Sequence, residues 1–226
     1  MSDYMDDSME QDLIEPPTEP ESDIMTVHNA WIAERMTPEL LPGKDVQVDA
    51  VMDQIRQQVE LIEREMDQGK NNIGLVVLQT EVERIKYILR SYLRTRLYKA
   101  RSPITVYLRQ IDKFPIHYTR NAQYKAYMTM NEQAYLRRHI QISSMHLDAS
   151  FLRQFPAKLQ RLDDSAGGLS MVDEPDLSTS VFCKIVENCG DIKFGNDDVS
   201  LKKDSIFLIG YEHVRPFVLD GRIKMV

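Results

Sequence analysis

The chain has 226 residues, of which 42% are hydrophobic and 28% charged, with a formal net charge of −7. This length is enough for one large or two small domains with a real core, and the composition is typical of a soluble protein. No apolar run approaches the roughly 20 residues that a membrane helix needs. The acidic N-terminus is unlike a signal or transit peptide, so Cys183 and Cys189 are expected to be reduced thiols, with a disulfide closing one hairpin as the alternative.

Residues 1–22 form an acidic segment that is predicted to be disordered. The first 23 residues carry nine acidic side chains and no Lys or Arg, which leaves the rest of the chain at about +2. Two interpretations remain open, a solvated tail and a peptide that docks on a partner. The docking interpretation depends on the apolar residues placed among the acids, which are Tyr4, Met5, Met9, Leu13 and Ile14.

Two helices are predicted in the next part of the chain. The first begins after Ser22, a suitable N-cap, and ends near Met36 because Pro38 disfavours helix in the residue before it. Trp31 in this helix is expected to be a core anchor rather than a ligand platform. The second helix runs over about 45–68, and Gly69 is expected to end it. Its apolar repeat consists of Val48, Val51, Met52, Ile55, Val59, Ile62 and Met66.

A third helix is predicted after a turn near residues 71–72, with Glu81–Lys99 at its centre. This stretch has no Pro or Gly, and its wide apolar stripe needs more than one neighbour, in this chain or in another. The interval from Arg84 to Ile111 contains eight Lys or Arg residues and no acid. The second and third helices are expected to form an antiparallel hairpin, after which Ser102-Pro103 interrupts the third helix and a further helical segment covers about 104–113.

The second half of the chain is predicted to change from helix to strand. A less regular long helix is expected over 121–145, separated from the preceding helix by Pro115. His139 and His146 are expected to be surface or interface residues, since no other ligand follows at metal-binding spacing. Short β-type runs separated by turn residues cover 181–186, 192–194, 199–201, 206–209 and 222–226, with a helical turn at 212–219.

The predicted fold class is therefore mainly α with a small β-rich C-terminal domain, in which a helical, bundle-like domain comes first. The chain is divided into an acidic disordered tail (1–22), a helical domain (23–162), a flexible linker (163–175) and a small β-rich domain (176–226). The sequence contains no phosphate-binding loop, no dinucleotide fingerprint, no nucleophile elbow and no zinc-ligand pattern. Neither catalysis nor a cofactor nor a metal is therefore expected.

Two segments carry a resemblance to a known family. Residues 31–41 read Trp-Ile-Ala-Glu-Arg-Met-Thr-Pro-Glu-Leu-Leu, and residues 83–97 read Glu-Arg-Ile-Lys-Tyr-Ile-Leu-Arg-Ser-Tyr-Leu-Arg-Thr-Arg-Leu. Together they resemble a GINS subunit of the Sld-five (or "Go") type. A weaker match follows in the same order, with Pro-Asp-Leu at 175–177, Val-Phe at 181–182 and the closing helical turn and strand. The resemblance covers about residues 24–226 and is poorest over 102–146.

The resemblance implies a helical A domain followed by a small β-rich B domain. It implies a nuclear protein that forms a heterotetramer with three paralogous GINS subunits. This tetramer would join the MCM hexamer and the Cdc-forty-five protein in the replicative helicase, which initiates and elongates DNA replication. The subunit would be a scaffold without an active site, because ATP hydrolysis would belong to the MCM ring. The family also suggests that the acidic tail binds an adaptor that links the helicase to a polymerase.

These inferences give three sets of candidate residues. The residues expected at the subunit interface, or buried within the chain, are Trp31, Val59, Ile62, Ile85, Leu89, Tyr92, Leu93 and Leu97. The residues expected to provide polar anchoring are Arg90, Arg94 and Arg96, since Arg binds carboxylates bidentately. The alternative function is a DNA-binding or adaptor protein that acts through the basic helix Arg84–Arg109. Under the scaffold interpretation, any DNA contact is indirect or weak.

Overall fold

The computed structural model describes residues 22–68, 73–101 and 114–226, apart from 158–159, 162, 164, 167–168, 171, 173 and 195–196. The expectations for the tail, for Gly69 and for the helical segment over 104–113 lie outside these residues. The described chain is mainly helical with a small antiparallel sheet near the C-terminus, so the predicted fold class is confirmed. No helix in the described ranges combines the length and the apolar character needed to cross a membrane.

The first three helices are α1 (Asp23–Met36), α2 (Asp45–Asp67) and α3 (Ile73–Arg101). The side chain of Ser22 caps α1 by accepting a hydrogen bond from the backbone N–H of Met25, as its position predicts. The backbone N–H of Lys44 donates to the hydroxyl of Tyr92 at 3.3 Å, which places the start of α2 beside the second half of α3. The two helices are therefore antiparallel, and the predicted hairpin is confirmed.

One apolar core joins α1, α2 and α3. Its residues repeat at helical spacing on each helix, so each helix turns one stripe toward the other two. The buried members are Val27, Val51, Ile55, Ile62, Val82 and Leu89.

The prediction of one long helix over 121–145 is wrong. The backbone divides there because the side chain of Thr129 accepts a hydrogen bond from the N–H of Glu132, while the Glu132 carboxylate accepts from the N–H of Thr129. This capping box starts a new helix and ends the helical register before it. Pro115 lies in the first turn of a helix that begins at Phe114, where its missing N–H costs nothing. The observed helices are α4 (Phe114–Arg120), α5 (Ala122–Tyr127) and α6 (Met130–Ser150).

After a single 3₁₀ turn (Leu152–Gln154), the chain changes to strand. Two-residue strands β1 (Ser165–Ala166) and β2 (Leu169–Ser170) pair within the predicted linker. The predicted β-type runs and helical turn are then confirmed to within two residues at their ends. They are β3 (Ser180–Ile185), β4 (Gly190–Phe194), β5 (Asp197–Leu201), β6 (Ile206–Gly210), α7 (Tyr211–Leu219) and β7 (Ile223–Met225).

Strands β6, β3 and β7 form an antiparallel sheet in that order, and β4 pairs with β5 in a separate hairpin. Side chains of β3 alternate, with Val181, Cys183 and Ile185 buried and the residues between them exposed. Both cysteines are free thiols, which excludes the hairpin disulfide. The buried face of the sheet packs on α7 and also on Ile32 and Ala33 of α1. The C-terminal domain therefore rests on the helical domain of its own chain.

Candidate subunit interface and the junction beneath it

Glu39 lies at the junction between the helical and the C-terminal domain, in the short segment that connects α1 to α2. Its carboxylate is fully buried. Arg215 donates to both carboxylate oxygens, from Nε at 2.6 Å and from Nη2 at 2.8 Å. The hydroxyls of Tyr211 and Tyr124 donate to the same group at 2.7 and 2.5 Å. One side chain therefore binds α7 of the C-terminal domain and α5 of the helical domain together.

The surroundings of Glu39 favour its charged form. Burial raises the pKa of this carboxyl, but hydrogen bonds from Arg215, Tyr124 and Tyr211 outweigh burial and hold the pKa below its ordinary value. The ionised Glu39 therefore stabilises the junction fully at a pH above the pKa that this residue has in the unfolded chain. The stabilisation is lost as the pH falls from that value through the lower pKa of the folded chain.

Arg96 organises the interior of the helical domain. It is 1% exposed, and each of its five N–H groups has an acceptor. Nε and Nη2 bind the Glu132 carboxylate bidentately at 2.8 and 3.1 Å, and Nη1 donates to Glu34 at 3.2 Å. The remaining hydrogen bonds reach the carbonyl oxygens of Leu41 and Tyr127, both at 2.8 Å. Burial lowers the pKa of Arg96, but these carboxylates outweigh burial and raise it, so Arg96 is always charged.

Lys99, one turn further along α3, extends the same network. Its ammonium group donates to Glu34 at 3.1 Å, to the hydroxyl of Thr37 at 3.0 Å and to the carbonyl oxygen of Glu39 at 2.8 Å. Its three N–H groups therefore each have an acceptor. Burial lowers the pKa of Lys99, against the opposing effect of Glu34. The network that results is neutral, with three cations and three anions, which are Arg96, Lys99, Arg215, Glu34, Glu39 and Glu132.

Most of the residues expected at a subunit interface are covered by this chain itself. Ile62, Leu89 and Tyr92 are buried, and Val59 and Ile85 pack at the margin of the same core. Burial in an apolar interior raises the pKa of the Tyr92 hydroxyl to about 12. The structure thus brings Val59, Ile62, Ile85 and Leu89 together within one core, and it buries Tyr92 about one turn further along α3. A role between subunits stays a prediction for all five.

The other three expected interface residues remain accessible. Leu93 is 42% exposed and, with the half-buried Leu97 and with Tyr135 of α6, lines a groove between α2, α3 and α6. Trp31 is half-buried, and its indole N–H donates to the Ser91 hydroxyl at 2.9 Å. Leu93 and Leu97 therefore extend the apolar stripe of α3 to the surface, while Trp31 fastens α1 to α3.

The three arginines expected to provide polar anchoring lie in two different environments. Arg96 is the buried centre described above, so it anchors elements of its own chain. Arg90 and Arg94 are exposed on α3 and flank a groove with Tyr87 and Tyr98. Of the three arginines, Arg90 and Arg94 are accessible to another molecule.

Two further surfaces expose more large apolar side chains than is usual for a monomeric protein. The hairpin tip, which we define as the end of α2 and the start of α3, exposes five large apolar side chains. In α6 only Glu132 and Leu136 are buried, so its second half has no buried side chain and exposes Ile142 and Met145. The exposed residues of the hairpin tip are Leu61, Met66, Ile73, Val76 and Val77.

Sequence reasoning did not identify Glu39, Tyr211 and Arg215 as partners. Glu39 carried one signal, because it is a lone acid between Pro38 and two leucines that are themselves buried. Its partners lie 172 and 176 residues away, which is beyond the reach of any local pattern. Among the described residues, no group of three or more His, Cys, Asp or Glu side chains is placed to hold a metal ion.

Comparison with known proteins identifies similar sequences over nearly the whole chain. A family model described as "GINS complex protein helical bundle domain" matches residues 49–151, and one described as "DNA replication complex GINS protein SLD5 C-terminus" matches residues 175–226. The DNA replication complex GINS protein sld5 of Schizosaccharomyces pombe is 35% identical over 95% of this chain and 96% of its own length. The proteins named SLD5 from Yarrowia lipolytica and Chaetomium globosum are 34% and 36% identical, over 92% and 90% of this chain and 78% and 90% of their own lengths.

The substitution Glu39→Gln is expected to destabilise the junction by about 3 kcal/mol, because it leaves the Arg215 charge without its counterion. Hydrogen–deuterium exchange should then become faster in peptides that cover residues 206–219. The natural chain is expected to lose protection as the pH falls below about 4.5, and this loss should be reduced in the variant because Gln does not titrate. The matched control is Glu60→Gln, the same change at an exposed residue of α2. Equal protection in both variants would contradict the role of Glu39.

Arg96→Lys is expected to destabilise the helical domain by about 3 kcal/mol or more, because a lysine has three donors and cannot replace the bidentate hydrogen bonds. Arg94→Lys, two residues away on the exposed face of the same helix, is expected to change stability by less than about 0.5 kcal/mol. Thermal unfolding of the two variants, each purified with its partners, compares them directly. Similar melting temperatures would exclude Arg96 as the organising residue.

Proposed function

This chain belongs to the SLD5 family of GINS proteins, and on that premise we propose that it is a non-catalytic scaffold subunit of a heterotetrameric GINS complex. It acts in DNA replication, as the names of its relatives state for them, and this role belongs to the nucleus. Its three partners in the tetramer are the other GINS subunits. The assembled tetramer joins the MCM hexamer and the Cdc-forty-five protein, and it contributes to the initiation and elongation of replication without hydrolysing ATP.

The observation that carries the scaffold proposal is the exposed apolar surface on helices that are otherwise well formed. In the hairpin tip, Ile73 is 84% exposed and Val77 is 59% exposed, while Met145 protrudes from the second half of α6. Contiguous apolar surface of this kind marks protein–protein contacts. Obligate interfaces are large and apolar, and burial in a tetramer would remove these side chains from water.

The α3 surface offers less positive charge than its sequence indicates, which weighs against the DNA-binding alternative. Arg84 pairs with Glu81 at 2.9 Å, and Lys86 pairs with Glu83 at 2.8 Å. Both acids lie just before the acid-free interval that begins at Arg84, and each pairs with a basic residue three positions later. The pairs neutralise part of the field that attracts phosphates, so direct DNA binding is the secondary candidate and rests on Arg90 and Arg94.

The double variant Val77→Asp/Leu93→Asp is expected to lower the yield of the complex on co-purification by at least about tenfold, because it places two charges in apolar contacts between subunits. Both side chains are exposed in this chain, so the fold itself should persist, with an unchanged circular dichroism spectrum. Gln79→Asp adds a charge to α3 without removing apolar surface and serves as the matched control. A normal yield of tetramer from the double variant would exclude these surfaces as subunit contacts.

We also infer that the acidic tail recruits an adaptor that links the helicase to a polymerase. Deletion of residues 1–20 removes the apolar residues placed among the acids and leaves the described fold intact. The expected result is an unchanged tetramer and weaker adaptor capture in a pull-down from replicating cells. A tetramer that captures the adaptor equally well without its tail would remove this role.

A further inference from the structure

A groove of about 440 Å³ lies where α1 meets the C-terminal domain, outside the scaffold surfaces described above. Its floor is apolar and consists of one face of α1 together with the end of α7 and β7. The residues that form this floor include Ala30, Ala33, Leu41, Val218, Ile223 and Met225.

The rim of the groove is basic. Lys44, Lys184 and Lys224 all line it. Glu34 is the one acidic side chain among the lining residues, and its carboxylate is already bound by Arg96 and Lys99 inside the helical domain. The charge that the groove presents to a ligand is therefore positive.

Two of these lysines lie directly opposite each other. In the pairing of β3 with β7, Lys184 is the partner of Lys224, and like charges in this position destabilise a sheet. Asp204 lies 3.1 Å from Lys184 and offsets part of the repulsion. The groove thus combines an apolar floor with a rim that favours carboxylates.

The same strand continues the apolar surface beyond the groove. Phe182, two residues before Lys184, is half-exposed and pairs with the exposed Leu208 of β6. Val226 lines the groove and donates its backbone N–H to the carbonyl oxygen of Phe182. The ligand that fits this surface is an extended segment that carries both apolar and acidic side chains.

We propose that this groove binds the chain's own acidic N-terminal segment, residues 1–21. The segment carries eight acidic residues and no Lys or Arg, with the apolar residues Tyr4, Met5, Met9, Leu13 and Ile14 among them. It therefore complements both the lysine rim and the apolar floor. The proposal does not depend on the adaptor.

The connection to α1 makes this docking favourable. The tail joins α1 at Ser22, and Thr26, one turn later, already lines the groove. A segment of 21 residues extends to roughly 70 Å, whereas α1 is roughly 21 Å long, so the tail reaches every part of the groove. Because the two are covalently linked, a weak contact is populated at a high effective concentration. Docking would hold the tail until a partner with higher affinity withdraws it.

The test is photo-crosslinking within the full chain, purified with its partner subunits. The photoreactive residue p-benzoylphenylalanine replaces Leu13, and crosslinked peptides are identified by mass spectrometry after irradiation. Crosslinks within this chain to residues 26–33 or 218–226 are expected, with a yield that falls as salt is added. Crosslinks to a sister subunit, crosslinks elsewhere in this chain, or none at all would each overturn the proposal.

Charge reversal tests the lysine rim. The double variant Lys184→Glu/Lys224→Glu is expected to lower the crosslink yield about fivefold or more, because attraction becomes repulsion. Lys202→Glu/Lys203→Glu makes the same change in charge on the same domain, at lysines that do not line the groove, and should leave the yield unchanged. Tetramer yield is measured for both variants, so that a failure of assembly is separated from a loss of docking. Equal crosslinking in the two variants would show that the rim does not select the tail.

Discussion

The neutral network of six buried or half-buried charges is the constraint on which the rest of this fold depends. A buried charge that loses its counterion is strongly destabilising, so each of these side chains fixes the position of its partners. Arg96 fixes α3 against α6 and against the segment after α1, and Lys99 fixes the same segment from one turn away. Glu39 then fixes that segment to α7. The packing of two domains therefore follows from the pairing of a few charges.

This network also explains why two short segments carry the family resemblance. Residues 31–41 contain Glu34 and Glu39, and residues 83–97 contain Arg96. These positions cannot change one at a time, because any single replacement leaves a buried charge or a backbone carbonyl without its partner. The apolar residues around them tolerate exchange more readily, provided that volume is kept. The two segments that carry the resemblance thus also hold the two domains together.

The sequence was sufficient for elements whose signal is local. The cap at Ser22, the wide stripe of α3 and the alternation along β3 each depend on residues within a few positions of one another. The prediction of one long helix over 121–145 was wrong although the signal at its boundary is also local. Tyrosines at helical spacing continue across the boundary, and only the capping box formed by Thr129 and Glu132 marks it.

From the sequence, residues buried within the chain were harder to distinguish from residues at a subunit interface. An apolar stripe has the same pattern whether its own chain or another covers it, so Leu89 and Leu93 were indistinguishable until their exposure was known. The basic face of α3 posed the same problem. Arg94 and Arg96 are two positions apart, but Arg94 is exposed and Arg96 is 1% exposed. The residues around Glu39 indicate an acid in an apolar segment, but they do not indicate Arg215 as its partner.

The separation between Glu39 and Arg215 along the chain has a consequence for folding during synthesis. Synthesis proceeds from the N-terminus, so Glu39 is synthesised 176 residues before its counterion Arg215. Until then the helical domain carries an acid with no ion-pair partner, and only Tyr124 is available to it from the earlier part of the chain. The two domains consequently close on each other only after Arg215 has been synthesised. A nascent chain that stalls before Arg215 would contain the helices of the helical domain and lack the ion pair that joins the two domains.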